Sequence, residues 1–206
     1  MLKRAASPER GSATLAKIRA AARSIFYAKG FHASSVEEIA ERSGVSRATI
    51  YLHFRSKDEM LLDLLKDDLN YQMMRYDSLV SISQITKASV KKWLLAFRAA
   101  MDERRGSLTL FSVSFNLVSE LEASVDQHRE AAIAKLGSRF NGFDLDALDR
   151  TARNLQRVKC YMMIFLIEGV AVTFSSAPSA PSLESGVDVL AAILLRFLRY
   201  GEIRTN

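Results

Sequence analysis

The sequence predicts an all-helical protein, because helical periodicity is present and the usual signals of strands and hairpins are missing. Apolar residues recur at three- and four-residue spacing through most of the 206 residues, as they do on one face of an amphipathic helix. No segment alternates apolar and polar residues, and the Asn141-Gly142 pair has no strand-like flanks. No proline interrupts the chain between Glu9 and Ala177. A content of 49% hydrophobic and 25% charged residues is typical of a globular protein.

The predicted helices follow one another with short connections, and glycines mark several of their ends. Residues 1–12 are expected to form a flexible basic arm, and residues 175–182 (SSAPSAPS) a linker. We place a domain boundary after residue 56, so that residues 13–56 form an N-terminal domain and residues 57–206 a helical body. The predicted helices span residues 13–29, 36–42, 46–53, 57–80, 87–105, 108–122, 124–139, 144–176 and 183–200.

Composition also restricts the class of protein. The single cysteine, Cys160, excludes an internal disulfide and fits a reducing compartment. The N-terminus lacks the apolar segment of a signal peptide. The longest apolar stretch, residues 160–174, is interrupted by Glu168 and is shorter than the roughly 20 residues that a membrane span needs. We therefore expect a soluble cytoplasmic protein with no membrane partner.

Positive charge is concentrated at the N-terminal end of the chain. Residues 1–57 contain 11 Lys and Arg against 4 Asp and Glu, whereas residues 58–206 contain 18 against 19. A basic segment attached to a near-neutral body indicates a polyanionic partner for the first segment. Many basic surfaces bind nothing, however, so this interpretation requires a binding motif in the same segment.

Such a motif is present in the form of a predicted helix-turn-helix. Ser35, followed three residues later by Glu38, is typical of a capping box that starts a helix. Gly44 follows Ala40 by four residues, at the point where a tight turn requires a positive φ angle. Ser46 is then positioned to cap the next helix. Two short helices joined by a glycine turn in this order predict a helix-turn-helix.

The second of these helices has one inward and one outward side. Ile50 points toward the core, and a helix of this kind enters the major groove of DNA with its outward residues. Arg47 matches guanine O6 and N7, and Ala48 matches a thymine methyl group, while Thr49 and Tyr51 can contact phosphates or bases. An alternative for Tyr51 is half-buried packing, although we favour DNA contact.

Two further residues at this end of the chain are candidates. Lys57 starts the following helix, where its charge and the helix N-terminus both favour a phosphate. His53 lies on the flank of its helix, and a hydrogen bond within the protein is the interpretation that its position favours.

These residues together resemble the TetR family of bacterial transcription regulators. The resemblance implies DNA contacts by Arg47, Ala48, Thr49, Tyr51, His53 and Lys57. It also implies a homodimer that binds a palindromic operator in double-stranded DNA and is released by a small-molecule effector. The residues that carry the resemblance are Ile18, Ala21, Phe26, Lys29, Gly30, Phe31, Val36, Ile39, Ala40, Gly44, Val45, Ser46, Thr49, Ile50, Tyr51, His53, Phe54 and Lys57 to Leu61.

The last two long helices are the expected dimer surface. Each carries an apolar seam, and the resemblance favours pairing through these helices, although both seams can also cover the chain's own core. Pairing agrees with the need for two recognition helices on a palindrome. The interface candidates are Leu155, Met162, Phe165, Val187, Leu190, Leu194 and Leu198.

The middle of the body is rich in methionine and aromatic residues. Residues of this kind at helical spacing usually form a core, but the resemblance implies that some of them line an effector pocket. Glu168 lies within an apolar run, where it either lines that pocket or contacts the dimer interface or surface. The pocket candidates are Met73, Trp93, Phe97, Met101, Phe111, Phe115, Met162 and Glu168.

The sequence carries no motif for enzyme chemistry, a metal or a cofactor. It lacks CxxC, HExxH, GxSxG, a Walker A loop and GxGxxG, and it has only three histidines. The resemblance, together with the predicted helices, implies an N-terminal three-helix helix-turn-helix domain followed by a helical ligand-binding and dimerisation domain, acting as a ligand-responsive repressor. The alternatives are an all-helical enzyme that transforms a small molecule and a DNA-binding regulator without an effector pocket.

Overall fold

The structure, a computed structural model, describes residues 8–102, 119–173 and 182–203, with side chains described for residues 12–102, 123–170 and 182–203. Every regular element in these ranges is a helix, which confirms the predicted all-helical class. None of the described helices is long and apolar enough to cross a membrane. The helices are α1 (Pro8–Lys29), α2 (Val36–Ser43), α3 (Arg47–His53), α4 (Lys57–Val80), α5 (Lys87–Asp102), α6 (Ser119–Gly137), α7 (Arg150–Thr173) and α8 (Leu183–Tyr200).

Several predictions fall outside the described residues. These are the first seven residues of the expected arm, most of the helix predicted over 108–122, the pocket candidates Phe111 and Phe115, and residues 175–181 of the linker.

Three helix starts differ from the prediction. The first helix begins at Pro8 rather than at residue 13, because proline is favoured at the first helical position, where its missing N–H costs nothing. Helix α6 runs without a break from Ser119, whereas a break was predicted after residue 122. Helix α7 starts at Arg150 rather than at residue 144, because Asp149 Oδ1 accepts hydrogen bonds from the N–H groups of Thr151 at 2.8 Å and Ala152 at 3.0 Å.

The described helices form two compact units. The first contains α1, α2, α3, the beginning of α4 up to Asp68 and residues 119–121, and the second contains the remainder of α4 from Leu69 together with α5, the rest of α6, α7 and α8. The predicted domain boundary after residue 56 lies within the first unit. It therefore stays a prediction of where the DNA-binding segment ends, and it does not coincide with the division between the two units.

In the first unit, apolar packing and ion pairs join α1 to its neighbours. Ile18 and Phe26 of α1 are fully buried, as is Ile50 of α3. Arg19 forms a bidentate ion pair with Asp63 of α4, with N–O distances of 2.6 and 2.7 Å. This geometry gives α1 and the start of α4 a fixed orientation in the unit.

A second arginine of α1 extends this connection. Arg23 Nη1 contacts both carboxylate oxygens of the buried Asp68 at 2.7 and 2.8 Å, and Arg23 Nη2 contacts Asp67 at 3.2 Å. The carboxylate is satisfied on both oxygens, as a buried charge must be.

In the second unit, α5 packs against both α7 and α8. The inward stripes of these helices are apolar, as the sequence periodicity predicts. Helix α8 ends at Gly201 with a φ of 68°, which confirms that this glycine stops the helix in the left-handed conformation. The buried residues of α5 and α8 are Val90, Trp93, Leu94, Phe97, Ala100, Met101, Val187, Leu190, Ala191, Leu194, Phe197 and Leu198.

Candidate functional site

The predicted helix-turn-helix is present in the first unit, with its caps and its turn. Ser35 Oγ accepts a hydrogen bond from the Glu38 N–H at 3.2 Å, and Glu38 Oε2 accepts one from the Ser35 N–H at 3.1 Å, which completes the capping box of α2. Gly44 follows α2 with φ 67° and ψ 28°. At the start of α3, Ser46 Oγ accepts a hydrogen bond from the Thr49 N–H at 3.1 Å. The sequence therefore specifies both helix starts and the turn between them.

Gly44 offers a direct test of this turn. Gly44→Ala should lower the free energy of unfolding by about 1 kcal/mol, because a side chain in the left-handed region is strained even though nothing lies within 4 Å of the added Cβ. Gly44→Asn should cost less, since asparagine tolerates this conformation better. Denaturant unfolding of the three proteins measures the difference, and equal losses for alanine and asparagine would contradict a conformational origin.

Helix α3 has one buried and one exposed side. Ile50 is fully buried, which fixes the helix against the unit's core. The exposed side carries two parallel stripes, because residues four apart lie one turn apart on the same face. One stripe consists of Arg47 and Tyr51, and the other of Ala48 and Leu52. The half-exposed Tyr51 is consistent with the predicted outward role, whereas Leu52 is a residue that the list of predicted DNA contacts omits.

Two of the predicted DNA contacts also have partners within the domain. Arg47 Nη1 lies 2.8 Å from Glu37 Oε1, but both side chains are more than half exposed, so this pair is weak and the guanidinium can exchange partners. Thr49 Oγ1 shares a hydrogen bond with Ser46 Oγ at 2.8 Å, which ties the hydroxyl to the helix cap. His53 is half-buried in the last turn of α3.

Lys57 has a structural role that the sequence did not reveal. Its Nζ donates hydrogen bonds to the carbonyl oxygens of Phe31 at 2.7 Å and Ser34 at 2.8 Å, and it lies 4.5 Å from the centroid of the Phe31 ring. These contacts join the start of α4 to the loop between α1 and α2. The predicted phosphate contact would therefore have to share this ammonium group with two carbonyl oxygens.

The excess of positive charge at the N-terminal end becomes smaller when the first turns of α4 are counted with it. Residues 1–68 contain 12 Lys and Arg against 9 Asp and Glu, because the first turns of α4 are acidic. Arg19 and Arg23 are moreover paired with carboxylates of α4. Among the side chains that the structure describes, the exposed cations on or directly beside α2 and α3 are Arg42, Arg47 and Arg55.

The second unit contains a cluster of polar side chains among its apolar residues, which we call the buried polar cluster: Gln72, Tyr76, His128, Arg129 and Glu168. Gln72 Nε2 donates a hydrogen bond to Glu168 Oε1 at 3.2 Å, and Arg129 Nη2 lies 3.9 Å from Glu168 Oε2. The rings of Tyr76 and His128 have their centroids 6.4 Å apart. Helices α4, α6 and α7 each contribute to this cluster.

Two atoms of the buried polar cluster have no hydrogen-bond partner among the residues that the structure describes, namely the Tyr76 hydroxyl and His128 Nε2. Such atoms are rare, because an unsatisfied buried polar group costs about 1–3 kcal/mol. Burial raises the pKa of the Glu168 carboxyl, although Arg129 opposes this shift. Burial also raises the pKa of the Tyr76 hydroxyl well above its usual value, so burial disfavours the ionised form of each group.

His128 should make stability depend on pH. Burial, with a smaller effect of Arg129, lowers the His128 pKa to about 4 from an ordinary value of 6.5. Between these two pKa values, His128 is protonated in the unfolded chain but neutral in the folded protein. The free energy of unfolding therefore decreases as pH falls from 6.5 toward 4. Between pH 7 and pH 5 the loss should be about 2 kcal/mol. Glu168 acts in the opposite direction, because its raised pKa favours protonation in the folded state.

Unfolding of wild type and His128→Gln at both pH values isolates this contribution. The variant should lose the His128 share of the pH dependence, whereas the control His32→Gln, at an exposed histidine, should behave as wild type. Identical pH profiles for wild type and His128→Gln would contradict the interpretation.

The structure separates the pocket candidates. Trp93, Phe97 and Met101 are buried on α5, and the Trp93 and Phe97 rings pack against each other with centroids 5.3 Å apart. Met73 is half-buried, whereas Met162 is exposed and does not belong with the buried set. Glu168 lies beside α4 and α6 as part of the buried polar cluster. Trp93 and Phe97 thus belong to a packed aromatic core, and the buried polar cluster lies beside it.

The interface candidates also divide into two groups. Val187, Leu190, Leu194 and Leu198 of α8 are buried against the chain's own core, which is the alternative that the sequence left open for this seam, and their pairing with a partner stays a prediction. Leu155, Met162 and Phe165 of α7 are exposed, together with Val158 and Leu166 of the same helix. These five residues recur at three- and four-residue spacing and form one stripe, which we call the α7 stripe.

Comparison with known protein families places the helix-turn-helix among regulators. The sequence profile described as bacterial regulatory proteins, tetR family, matches residues 18–64. The chain is 24% identical to the HTH-type transcriptional repressor KstR2 of Mycolicibacterium smegmatis over 48% of its length. It is 30% identical to the fatty acid metabolism regulator protein of Bacillus subtilis over 45% of its length. These matches cover 49% and 44% of the two relatives, so the chain matches less than half of each.

A solved structure extends the likeness of fold beyond the helix-turn-helix. A putative TetR-family transcriptional regulator from Mesorhizobium loti superposes with a TM-score of 0.66 over 91% of this chain and 96% of the other, at 18% identity. At this identity the match concerns the fold alone. It includes the helical body that follows the helix-turn-helix.

Proposed function

Because the chain belongs to the TetR family of bacterial regulatory proteins, a family of DNA-binding transcriptional regulators, we propose that it is a homodimeric repressor released from a palindromic operator by a small, largely apolar ligand. The observation that carries this proposal is the capped helix-turn-helix whose α3 presents Arg47, Ala48, Tyr51 and Leu52 outward.

The proposed DNA contacts follow from this exposed side. Arg47 would bind a guanine edge, Ala48 a thymine methyl group, and Tyr51 and Thr49 a base or phosphate, with His53 and Lys57 at the flanks. Arg42 and Arg55 add exposed positive charge for the phosphates.

The proposed dimer surface is the α7 stripe. Scattered apolar residues are normal on a protein surface, but five on one helix face form a contiguous patch of the kind that marks protein interfaces. A two-fold dimer repeats the same surface in both copies, and it gives the two recognition helices that a palindrome requires.

The proposed effector site lies at the buried polar cluster. The Tyr76 hydroxyl and His128 Nε2, which have no hydrogen-bond partner in the described part of the chain, are groups that a ligand can satisfy, and the neighbouring apolar residues suit the rest of an apolar ligand. Gln72 and Tyr76 belong to α4, whose first residue, Lys57, bonds the loop before α2. A ligand that displaces α4 would thereby alter the spacing of the two recognition helices. For decisive release it must favour the released state by about 10⁴-fold.

Selection of bound sequences from a random DNA library tests the proposal. We expect enrichment of a palindrome by the full chain, with affinity that falls as salt rises. Apolar compounds that bind the protein should then release the selected operator. If the protein binds DNA without enriching any sequence, the result would contradict a sequence-specific regulator. If compounds bind the protein but none of them weakens the operator complex, the result would contradict only the proposed effector site.

A further inference from the structure

Leu52 is the most exposed large apolar side chain among the residues that the structure describes, with 83% of its surface accessible. It is not part of a frayed end, because the neighbouring Ile50 is fully buried and the Phe54 N–H donates a hydrogen bond to the Ile50 carbonyl at 2.9 Å. The exposed Leu52 side chain therefore contributes little burial to the folded unit and is available to contact a partner.

The position of Leu52 relative to Ala48 restricts what that contact is. Four residues span about 6 Å along a helix, which is close to two base-pair steps of about 3.4 Å each. A recognition helix enters the major groove with its N-terminal residues closest to the bases. A short alanine at the first position and a long leucine one turn later would therefore reach base edges at similar depth.

The chemistry of the groove and the charge of the domain identify the partner. The 5-methyl group of thymine is the apolar group that base pairs present in the major groove. Arg42, Arg47 and Arg55 are exposed in the same unit, so the surroundings of Leu52 complement a polyanion rather than an apolar protein surface. Glu37 is paired with Arg47, and the other exposed carboxylates that the structure describes in this unit lie on α2 and α4, so α3 itself carries no negatively charged residue.

We propose that Leu52 and Ala48 form an apolar stripe that contacts thymine methyl groups, about two base pairs apart, in each half-site of the operator. This inference rests on the proposed function, because it assumes that α3 enters the major groove. It adds Leu52 as a specificity-determining residue, and it predicts two thymines in each half-site of the operator. Arg47, on the parallel stripe, would add a guanine beside these thymines.

Replacement of thymine by deoxyuridine, which lacks only the methyl group, tests the inference on the selected operator. Loss of one well-buried methyl group should weaken binding about fourfold, and loss from both half-sites about fifteenfold. Leu52→Ala should bind the thymine and uracil forms equally at the position that Leu52 contacts. The variant should fold as wild type, since the side chain is exposed, and circular dichroism checks this.

Leu95→Ala is the matched control, because Leu95 is an exposed leucine of α5 in the other unit and should retain the wild-type preference for thymine. The inference would be overturned by an operator without thymines in its half-sites, by equal binding of thymine and uracil forms to wild type, or by an unchanged preference in Leu52→Ala. In each of these outcomes sequence-selective binding persists and the proposed function stands. Loss of all sequence selectivity in the wild-type chain would contradict both.

Discussion

Replacement of Arg47 and Tyr51 together by alanine should abolish selective binding to the operator without unfolding the protein. Both side chains are exposed on α3, so their removal leaves the buried Ile50 and the helix caps in place. A bidentate contact from arginine to guanine contributes about 1–3 kcal/mol, and a symmetric dimer makes it twice. We therefore expect a loss of about 2–6 kcal/mol in operator binding, measured by fluorescence anisotropy with wild type and variant at the same salt concentration.

Two controls separate base recognition from charge. Arg42→Ala removes an exposed cation of α2, and it should weaken binding to the operator and to scrambled DNA by similar factors. Glu37→Gln removes the ion-pair partner of Arg47 and should leave operator binding unchanged or stronger. Full retention of selectivity by the Arg47 and Tyr51 double variant would show that α3 does not recognise the bases.

Glutamate at both Met162 and Phe165 should convert the dimer to a monomer and weaken operator binding by at least about 100-fold. Phe165 is 68% exposed in the single chain and Met162 lies one turn before it on the α7 stripe. A carboxylate buried in an apolar interface without a partner costs several kcal/mol, so each copy would oppose pairing. Sedimentation equilibrium measures the mass, and circular dichroism verifies that the monomer remains helical.

Met74→Glu is the matched control for this pair of substitutions. Met74 is exposed to a similar degree as Met162, but it lies on α4 and outside the α7 stripe. The control should stay dimeric and bind the operator as wild type does. A double variant at Met162 and Phe165 that keeps the mass of wild type would place the dimer surface elsewhere.

Local signals in the sequence were sufficient to predict the helix-turn-helix. The capping box at Ser35, the cap at Ser46 and the left-handed Gly44 depend on residues at most four positions apart, and the structure confirms each of them. The ends of α4 and α8 were likewise predicted correctly, and at α8 the cap at Ser182 and the left-handed Gly201 agree with the periodicity.

Features that depend on distant residues were not predicted. The two carbonyl partners of Lys57 lie 23 and 26 residues away in sequence, and the carboxylates that pair with Arg19 and Arg23 lie more than 40 residues away. For the apolar seam of α8, the sequence left a partner and the chain's own core as alternatives, because periodicity shows that a face is buried but not which surface covers it. These contacts depend on the tertiary arrangement of the helices.

The buried polar cluster could have been recognised in part. His128 shares a stripe with Val125 and Ala132, and Gln72 and Tyr76 lie on the buried side of α4. Polar residues at core positions of a helical pattern indicate a buried network or a ligand site. Their mutual proximity, however, depends on three helices that meet only in the folded unit.

The central claim is that this chain recognises a specific DNA sequence through α3. The most direct test is the ratio of Kd values for the selected operator and for a scrambled duplex of the same length and composition, at physiological salt. We expect operator binding to be tighter by at least about 10³-fold, and we expect this ratio to fall to near one in the Arg47 and Tyr51 double variant. Equal affinity for both duplexes would mean that the helix-turn-helix is only an electrostatic anchor, and it would contradict the account.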